Sequence, residues 1–399
     1  MKRRLLDLLR CPRCHGAFHL EAFAEVPLRD APADPAYASE IEEGALACVG
    51  CGARFPIIAG VPRLIGPALL ARIARRYPAF FARHPELAPP AAPADDPLAD
   101  TLESFTRQRL DLRPPGPEFA RQWRAHLRRN LGGALTVEAL SRKLVLDVGC
   151  GFGRHLYVAN EAGAETVGVD LSGGVDVARA NNRAHPRCHL VQANVLERPF
   201  RAESFDVVWS FGVLHHMPDP RTGFRAIVPL ARPARRRVGL RLPGGMAFTY
   251  RLSHMRPLHR ALHSVSGSTR VRASKGVAAM LSGLYWAPLR GLKGLGLGAT
   301  VERLPLAAYV EHGWSARVAA VHDRLSTPIT HFHEREELLG WFSEAGLGAV
   351  SVEDTDRRGW RAYGFRPETP SRVGNGSGRG ASVDDAQVVP RPAKPARQN

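Results

Sequence analysis

Lysine is nearly missing from this chain. Five Lys stand beside 50 Arg, so the formal net charge of +17 rests almost entirely on guanidinium groups. Long apolar runs are missing too: none reaches the roughly 18 residues that a membrane-spanning helix needs, which excludes such a span. The first ten residues mix basic residues with leucines, but Asp7 and Arg10 interrupt them and no small-residue cleavage site follows. No secretory leader is therefore expected, and the expected compartment is the cytoplasm. Cysteine is sparse, at six residues, four of which fall in two Cys-x2-Cys pairs. Acids are almost absent from residues 221–303, where Glu302 stands alone against sixteen Lys or Arg. A G-x-G-x-x-G turn is also lacking, because Arg154 stands three places after Gly151; this removes the usual dinucleotide fingerprint.

What is present is organised around Leu144–His155, LVLDVGCGFGRH. A branched apolar run ending in Asp147 predicts a buried strand. Gly149, Gly151 and Gly153 then predict a tight turn that lets the backbone approach a ligand, followed by a helix start with unpaired N–H groups. A second acid, Asp170, closes the next apolar run, Thr166–Asp170. An acid about 20 residues downstream, at the end of the second strand, is placed to bind a ribose diol. Apolar strands near 144–148, 165–169, 188–193 and 205–211 alternate with helical patterns, which predicts a parallel, doubly wound sheet. Strands at 348–354 and 360–365 follow a helix at 334–346.

These residues carry a resemblance. LDVGCGFGRH followed by VGVDLS, then Val191–Asn194 and Phe205–Pro218, resembles the class I S-adenosylmethionine-dependent methyltransferases. The nearest branch contains the ubiquinone and menaquinone methyltransferases, and the likeness runs over residues 118–365. It implies a Rossmann-like, seven-stranded α/β sheet. It also implies roles: Asp147 orders the glycine loop and faces the cofactor's amino group, and Gly149, Gly151 and Gly153 pass its methionine moiety. Asp170 would hold the ribose hydroxyls. Asn194, where relatives usually carry Asp, would meet the adenine amine, which an amide oxygen can still accept from, and Val195 would offer its N–H to the ring. Phe211 would lie where cofactor meets substrate. His216, and less so His215, is the candidate general base, since imidazole titrates near neutrality. The competing reading is that these histidines cap or pack the site. His331 and His333 would line the substrate side or a metal site, with the former preferred. Cys150 and Cys188 need no chemical role.

One stretch departs from the family. Relatives usually carry Pro-Gly-Gly just after the helix ending near Leu230; here Ala231–Arg237 stands instead, and Pro243-Gly-Gly245 arrives late. Either Val238–Leu242 rebuilds the fifth strand, or the segment diverges locally.

At the N-terminus, Cys11, Cys14, Cys48 and Cys51 form two knuckles, which suit structural Zn2+ better than disulfides in a chain that is not secreted. His15 and His19 are expected bystanders. The pattern from LLDLLRCPRC to FPIIAGVP resembles the small zinc-ribbon activators of tRNA and protein methyltransferases over about 60 residues. The 21–45 stretch between the knuckles is read as an excursion.

The chain is long enough for more than one domain, because single cores stop growing near roughly 250–300 residues. The expected division is a zinc-ribbon-like domain at 1–66 and a helical, Pro-rich linker at 67–117. A methyltransferase domain at 118–365 follows, with a cap insertion at 243–330, and then a disordered tail at 366–399. Gly276–Trp286 is read as cap packing rather than a membrane anchor. The expected activity is methyl transfer from S-adenosyl-L-methionine to a small-molecule acceptor, an anionic one if the basic segment serves it, with weak non-specific nucleic-acid binding. The alternative is an RNA (tRNA) methyltransferase with its activator fused in cis, against which no Asn-Pro-Pro-Tyr motif or RNA-binding module is found. The third reading is a non-catalytic cofactor-binding scaffold.

Overall fold

The computed structural model describes residues 1–28, 33–90, 102, 106, 117–132, 135–233, 236–242, 267–302, 304, 307–310, 313, 314, 317, 318, 321, 331–354 and 359–367. The tail from 368, Pro243-Gly-Gly245 and most of the Pro-rich stretch 91–116 lie outside them.

Eleven strands join in one sheet, ordered β1-β2-β3-β4-β7-β6-β5-β8-β9-β11-β10. The seven expected from residues 118–365 are β5 (Leu144–Val148), β6 (Glu165–Asp170), β7 (Cys188–Ala193), β8 (Val207–Phe211), β9 (Arg236–Leu242), β10 (Gly348–Asp354) and β11 (Trp360–Arg366). β7, β6, β5, β8 and β9 run parallel, and β11 returns antiparallel between β9 and β10. The middle strand β5 is buried along its whole length, as its unbroken apolar run requires when helices cover both faces. The fifth strand is rebuilt from the late segment. It begins at Arg236, two residues ahead of Val238, because β11 is long enough to pair Arg366 with Arg236.

The other four strands come from the N-terminus: β1 (Phe18–Pro27), β2 (Ser39–Cys48), β3 (Arg54–Ile58) and β4 (Val61–Leu64). They form an antiparallel meander, so the 21–45 excursion is a long β1–β2 hairpin. β4 then pairs parallel to β7, with Arg63 opposite Gln192 and Leu64 opposite Ala193. The ribbon therefore covers the open edge of the parallel sheet, where unpaired N–H and C=O groups would otherwise be exposed.

Packing repeats this fusion. One apolar core holds Leu5, Leu9, Ile41 and Phe55 from the ribbon together with Leu146, Val191 and Phe342 from the C-terminal half. Polar contacts join the same halves: Lys2 Nζ donates to the Cys188 carbonyl at 2.9 Å, and Arg179 Nε to that of Ala59 at 2.6 Å. Helices Pro67–Arg76 and Pro78–Arg83 are docked on the ribbon rather than strung as a spacer, with Ile73, Phe80 and Phe81 against Ala45 and Ile58.

Glu165 lies at this seam, 3.1 Å from Arg4 and 3.3 Å from His189. Burial alone would raise its pKa, but His189, Tyr37 and Arg4 together bring it from 4.5 to about 2. A carboxylate held below its unfolded pKa contributes stability above that value and loses it as pH falls. Glu165→Gln is expected to flatten the acid limb of a Tm–pH curve between pH 4.5 and about 2; an unchanged limb would remove Glu165 from the seam's stability.

Candidate active site and metal centre

The carboxyl edge of the parallel strands gathers the predicted residues, as expected where ligands bind doubly wound sheets. Asp147 is the fourth residue of β5 and is 1% exposed. Its Oδ2 is buried and, among the described residues, has no hydrogen-bond partner; His155 Nδ1 lies 3.7 Å from it. A buried carboxylate oxygen left this way is costly unless a ligand completes it. Gly149, Gly151 and Gly153 have φ of +76°, +58° and +79°, the left-handed region that glycine enters without steric cost. A Cβ on Gly149 would stand 2.2 Å from a Val213 methyl, and one on Gly153 2.5 Å from Asn182 Nδ2. Helix Arg154–Glu161 begins directly after.

Asp170 closes β6. Its Oδ2 accepts the Gly151 N–H at 2.8 Å and its Oδ1 accepts from Ser172 N and Oγ at 2.8 and 2.7 Å. The second acid is thus tied to the middle of the glycine turn. Asn194 precedes the short turn Val195–Glu197 and caps it, with Oδ1 accepting from Leu196 N at 3.1 Å. Its amide oxygen serves the backbone first and has one lone pair left for a ligand. Phe211 packs downward, edge-on to His155 at 5.4 Å and stacked with Trp209 at 5.5 Å. It belongs to the apolar cluster under helix Pro117–Leu131.

The loop after β8 carries the histidines. The His215 and His216 rings lie 3.8 Å apart between centroids, and His215 is buried. The segment returning from the insertion is pinned here, with His331 N donating to the His215 carbonyl at 2.8 Å. His333 packs edge-on to Trp341, 4.8 Å away. The four histidines are brought to one region, yet among the described residues only the four cysteines offer three or more ligand atoms close enough for a metal ion.

Sequence reading missed His155 and its neighbours. His155 Nε2 lies 3.0 Å from His126 Nδ1, and Asn130 Nδ2 lies within 3.2 Å of that nitrogen, so a polar chain runs from helix Pro117–Leu131 to Asp147. The available signal was a histidine in the first helical turn after Gly153. Val213, which fills the space over Gly149, gave no signal.

At the other centre, all four cysteine sulfurs lie within 4.8 Å of one another. Cys11 and Cys51 are 3.7 Å apart, and Cys14 and Cys48 are 3.4 Å apart. Sulfurs at about 2.3 Å from a tetrahedral zinc ion would be separated by about 3.8 Å, so the set fits that ion. The two knuckles repeat one geometry. Cys11 N bonds to the Gly16 carbonyl and His15 N to that of Cys11, while Cys48 N bonds to the Ala53 carbonyl and Gly52 N to that of Cys48. His15 and Gly52, equivalent in the repeat, both have positive φ. Burial pushes the Cys11 thiol up to about 12. Burial also works against the Cys48 thiolate, but the Cys51 and Gly50 N–H groups outweigh it and bring its pKa to about 6. A cation is what would keep all four deprotonated together.

The glycine turn, both acids and strands β6, β7 and β8 fall within residues 146–234, which match the family model of a methyltransferase domain. At the N-terminus, residues 2–60 match the family model of Trm112p-like proteins. Chloroplastic tocopherol O-methyltransferase from Arabidopsis thaliana is 39% identical over 100 residues, 24% of this chain and 28% of that protein. Human probable tRNA methyltransferase 9B is 37% identical over 108 residues, 27% of this chain and 21% of that protein. The chain thus spans less than a third of the length of either relative. Among solved structures, an O-methyltransferase family protein from Burkholderia thailandensis is 17% identical with a TM-score of 0.36, covering 62% of this chain and 57% of that one.

Proposed function

We propose that the chain transfers a methyl group from S-adenosyl-L-methionine to a small-molecule acceptor enclosed beneath the 243–330 insertion. Methyl transfer is a displacement at a sulfonium-bound carbon, and the cofactor supplies that electrophile when bound. The protein supplies orientation and exclusion of water. Asp147, with its unpartnered buried oxygen, would take the cofactor's amino group. Asp170, tied to the Gly151 turn, would take the ribose diol. Val195 and Asn194 would meet the adenine. His216, beside His215 in the loop after β8, would accept the acceptor's proton. The observation that carries the small-molecule reading is the His331–His215 bond, which pins the returning limb of the insertion at the carboxyl edge of the sheet. Zinc, held by Cys11, Cys14, Cys48 and Cys51, would serve the fold and not the reaction.

Isothermal titration should detect S-adenosylmethionine binding. Asp170→Ala should weaken it by about 1–3 kcal/mol, the range for a hydrogen bond to a charged group. Tighter binding of NAD than of the methyl donor would sink the assignment.

A second reading, an RNA methyltransferase with its activator in cis, is favoured by the Trm112p-like match at the N-terminus. Filter binding of bulk tRNA at low salt and at about 0.15 M, beside methyl-label incorporation into the same RNA, separates the two. Dispersed arginines give weak binding that salt erases, with no label incorporated. Submicromolar binding that survives salt, with incorporation, would promote the RNA reading.

A further inference from the structure

Exposed apolar side chains are unevenly spread over this chain. Among the described residues, seven of the eleven large hydrophobic side chains that lie in the open fall between Met280 and Trp314. That segment has an inside of its own: Ala278, Trp286 and Leu289 pack with Val301 and Val310 into a separate small core. Gly276–Trp286 does pack the insertion, but only along this inner stripe. Met280, Leu284, Leu292 and Leu295 are exposed outside this core, along a run from helix Gly267–Leu281 through the Ser282–Trp286 turn into helix Ala287–Gly294 and just beyond. Eight residues of ideal α-helix overshoot two full turns by about 80°, and the wider π-type winding of Ser282–Trp286 takes part of that back, keeping Leu292 near the line of Leu284. Leu284 and Leu295 are each 78% exposed.

Charge selects the occupant. Gly267–Val301 contains five Lys or Arg and no Asp or Glu, and Arg272, Lys275 and Arg290 are exposed beside this apolar run. A second copy of this chain seated on the run would set like charges against each other, which disfavours self-association. Nucleic acid would use the cations but leave the aliphatic side chains in water, since single strands are held by aromatic stacking. A lipid surface uses both: apolar side chains enter the headgroup–acyl boundary while Lys and Arg meet anionic headgroups. We propose that the Met280–Leu295 ridge docks the insertion on the surface of a membrane containing anionic lipid, without spanning it. No helix of the described residues is long and apolar enough to cross one.

Flotation of the full chain with vesicles tests this. Vesicles of phosphatidylcholine with phosphatidylglycerol should carry the protein upward, and vesicles of phosphatidylcholine alone should carry at least tenfold less. Leu284→Glu with Leu295→Glu should abolish flotation while leaving the melting temperature and S-adenosylmethionine binding unchanged, because both side chains point to solvent. Arg272→Glu with Arg290→Glu should reduce binding to anionic vesicles toward the neutral-vesicle level. Absence of flotation with anionic vesicles would overturn the proposal, as would flotation indifferent to the leucine pair. A stable dimer in sedimentation velocity that the leucine pair dissociates would also overturn it, by assigning the ridge to a second copy.

Discussion

Cys48→Ser is expected to empty the metal centre and to unfold far more than the ribbon. Purified wild-type protein should carry one equivalent of zinc by elemental analysis, and the variant should carry almost none. Structural zinc contributes apparent binding energies of about 10–16 kcal/mol in isolated zinc-finger peptides, comparable with the whole net stability of an ordinary domain, about 5–15 kcal/mol. In a chain of two independent domains that loss would stay local. Here β2, which ends at Cys48, is bonded through β3 and β4 to β7 of the parallel sheet, and both halves share one apolar core. A single broadened or lowered melting transition, reported by C-terminal-half and ribbon tryptic sites together, is the expected signature. Should Cys48→Ser fail to accumulate, a chelator titration of wild-type protein reads the same coupling. Metal-free protein with an unchanged Tm would show that the knuckles hold without zinc.

How much of this was legible beforehand differs between the two halves. Along β5, β6, β7 and β8 the apolar runs end in an acid, an amide or a glycine, so strand, turn and helix could be read locally, and all four strands fall within two residues of their expected places. The Cys-x2-Cys pairs were equally local. The sheet-to-sheet join was not legible, because β4 pairs with a strand more than 120 residues away and nothing in VPRL names its partner. β9 was ambiguous for a related reason. Adjacent arginines argue against a central strand, but pairing on both sides, to β8 and β11, decides the matter, and sequence periodicity cannot see neighbours. Asp147, Asp170 and the glycines lie together at the carboxyl edge, with Asp170 bonded to the glycine turn. Phe211 and Asn194 were assigned by position alone: the first turns into the core against His155, and the second spends its amide oxygen on a turn cap. His126 and Asn130 lie on the helix ahead of the glycine turn and reach Asp147 through His155, so their contribution needed the third dimension.

Arg63→Ala should be the most damaging change outside the metal centre and the glycine turn. Arg63 is fully buried at the β4–β7 join. It donates to Asp176 Oδ1 at 2.5 Å, Gln192 Oε1 at 2.9 Å and the Ile58 carbonyl at 3.3 Å, with Arg76 on the other Asp176 oxygen at 3.2 Å. Removing one partner of a buried pair typically costs about 3–5 kcal/mol, because the remaining charge keeps its desolvation penalty without its compensation. The effect should reach the cofactor side as well. Gln192 Nε2 donates to the Leu171 carbonyl at 3.0 Å, one residue beyond Asp170, so loosening Gln192 loosens the loop that carries the second acid. Arg63→Ala is therefore expected to lower Tm, to raise hydrogen exchange in β4 and β7, and to weaken S-adenosylmethionine binding together. If uncompensated charge is the cause, Arg63→Met combined with Asp176→Asn should recover part of the stability that Arg63→Met alone loses, as a positive coupling in the double-mutant cycle. A loss below about 1 kcal/mol for Arg63→Ala, in the range of an ordinary surface pair, would mean that the ribbon and the parallel sheet are held by their apolar core alone.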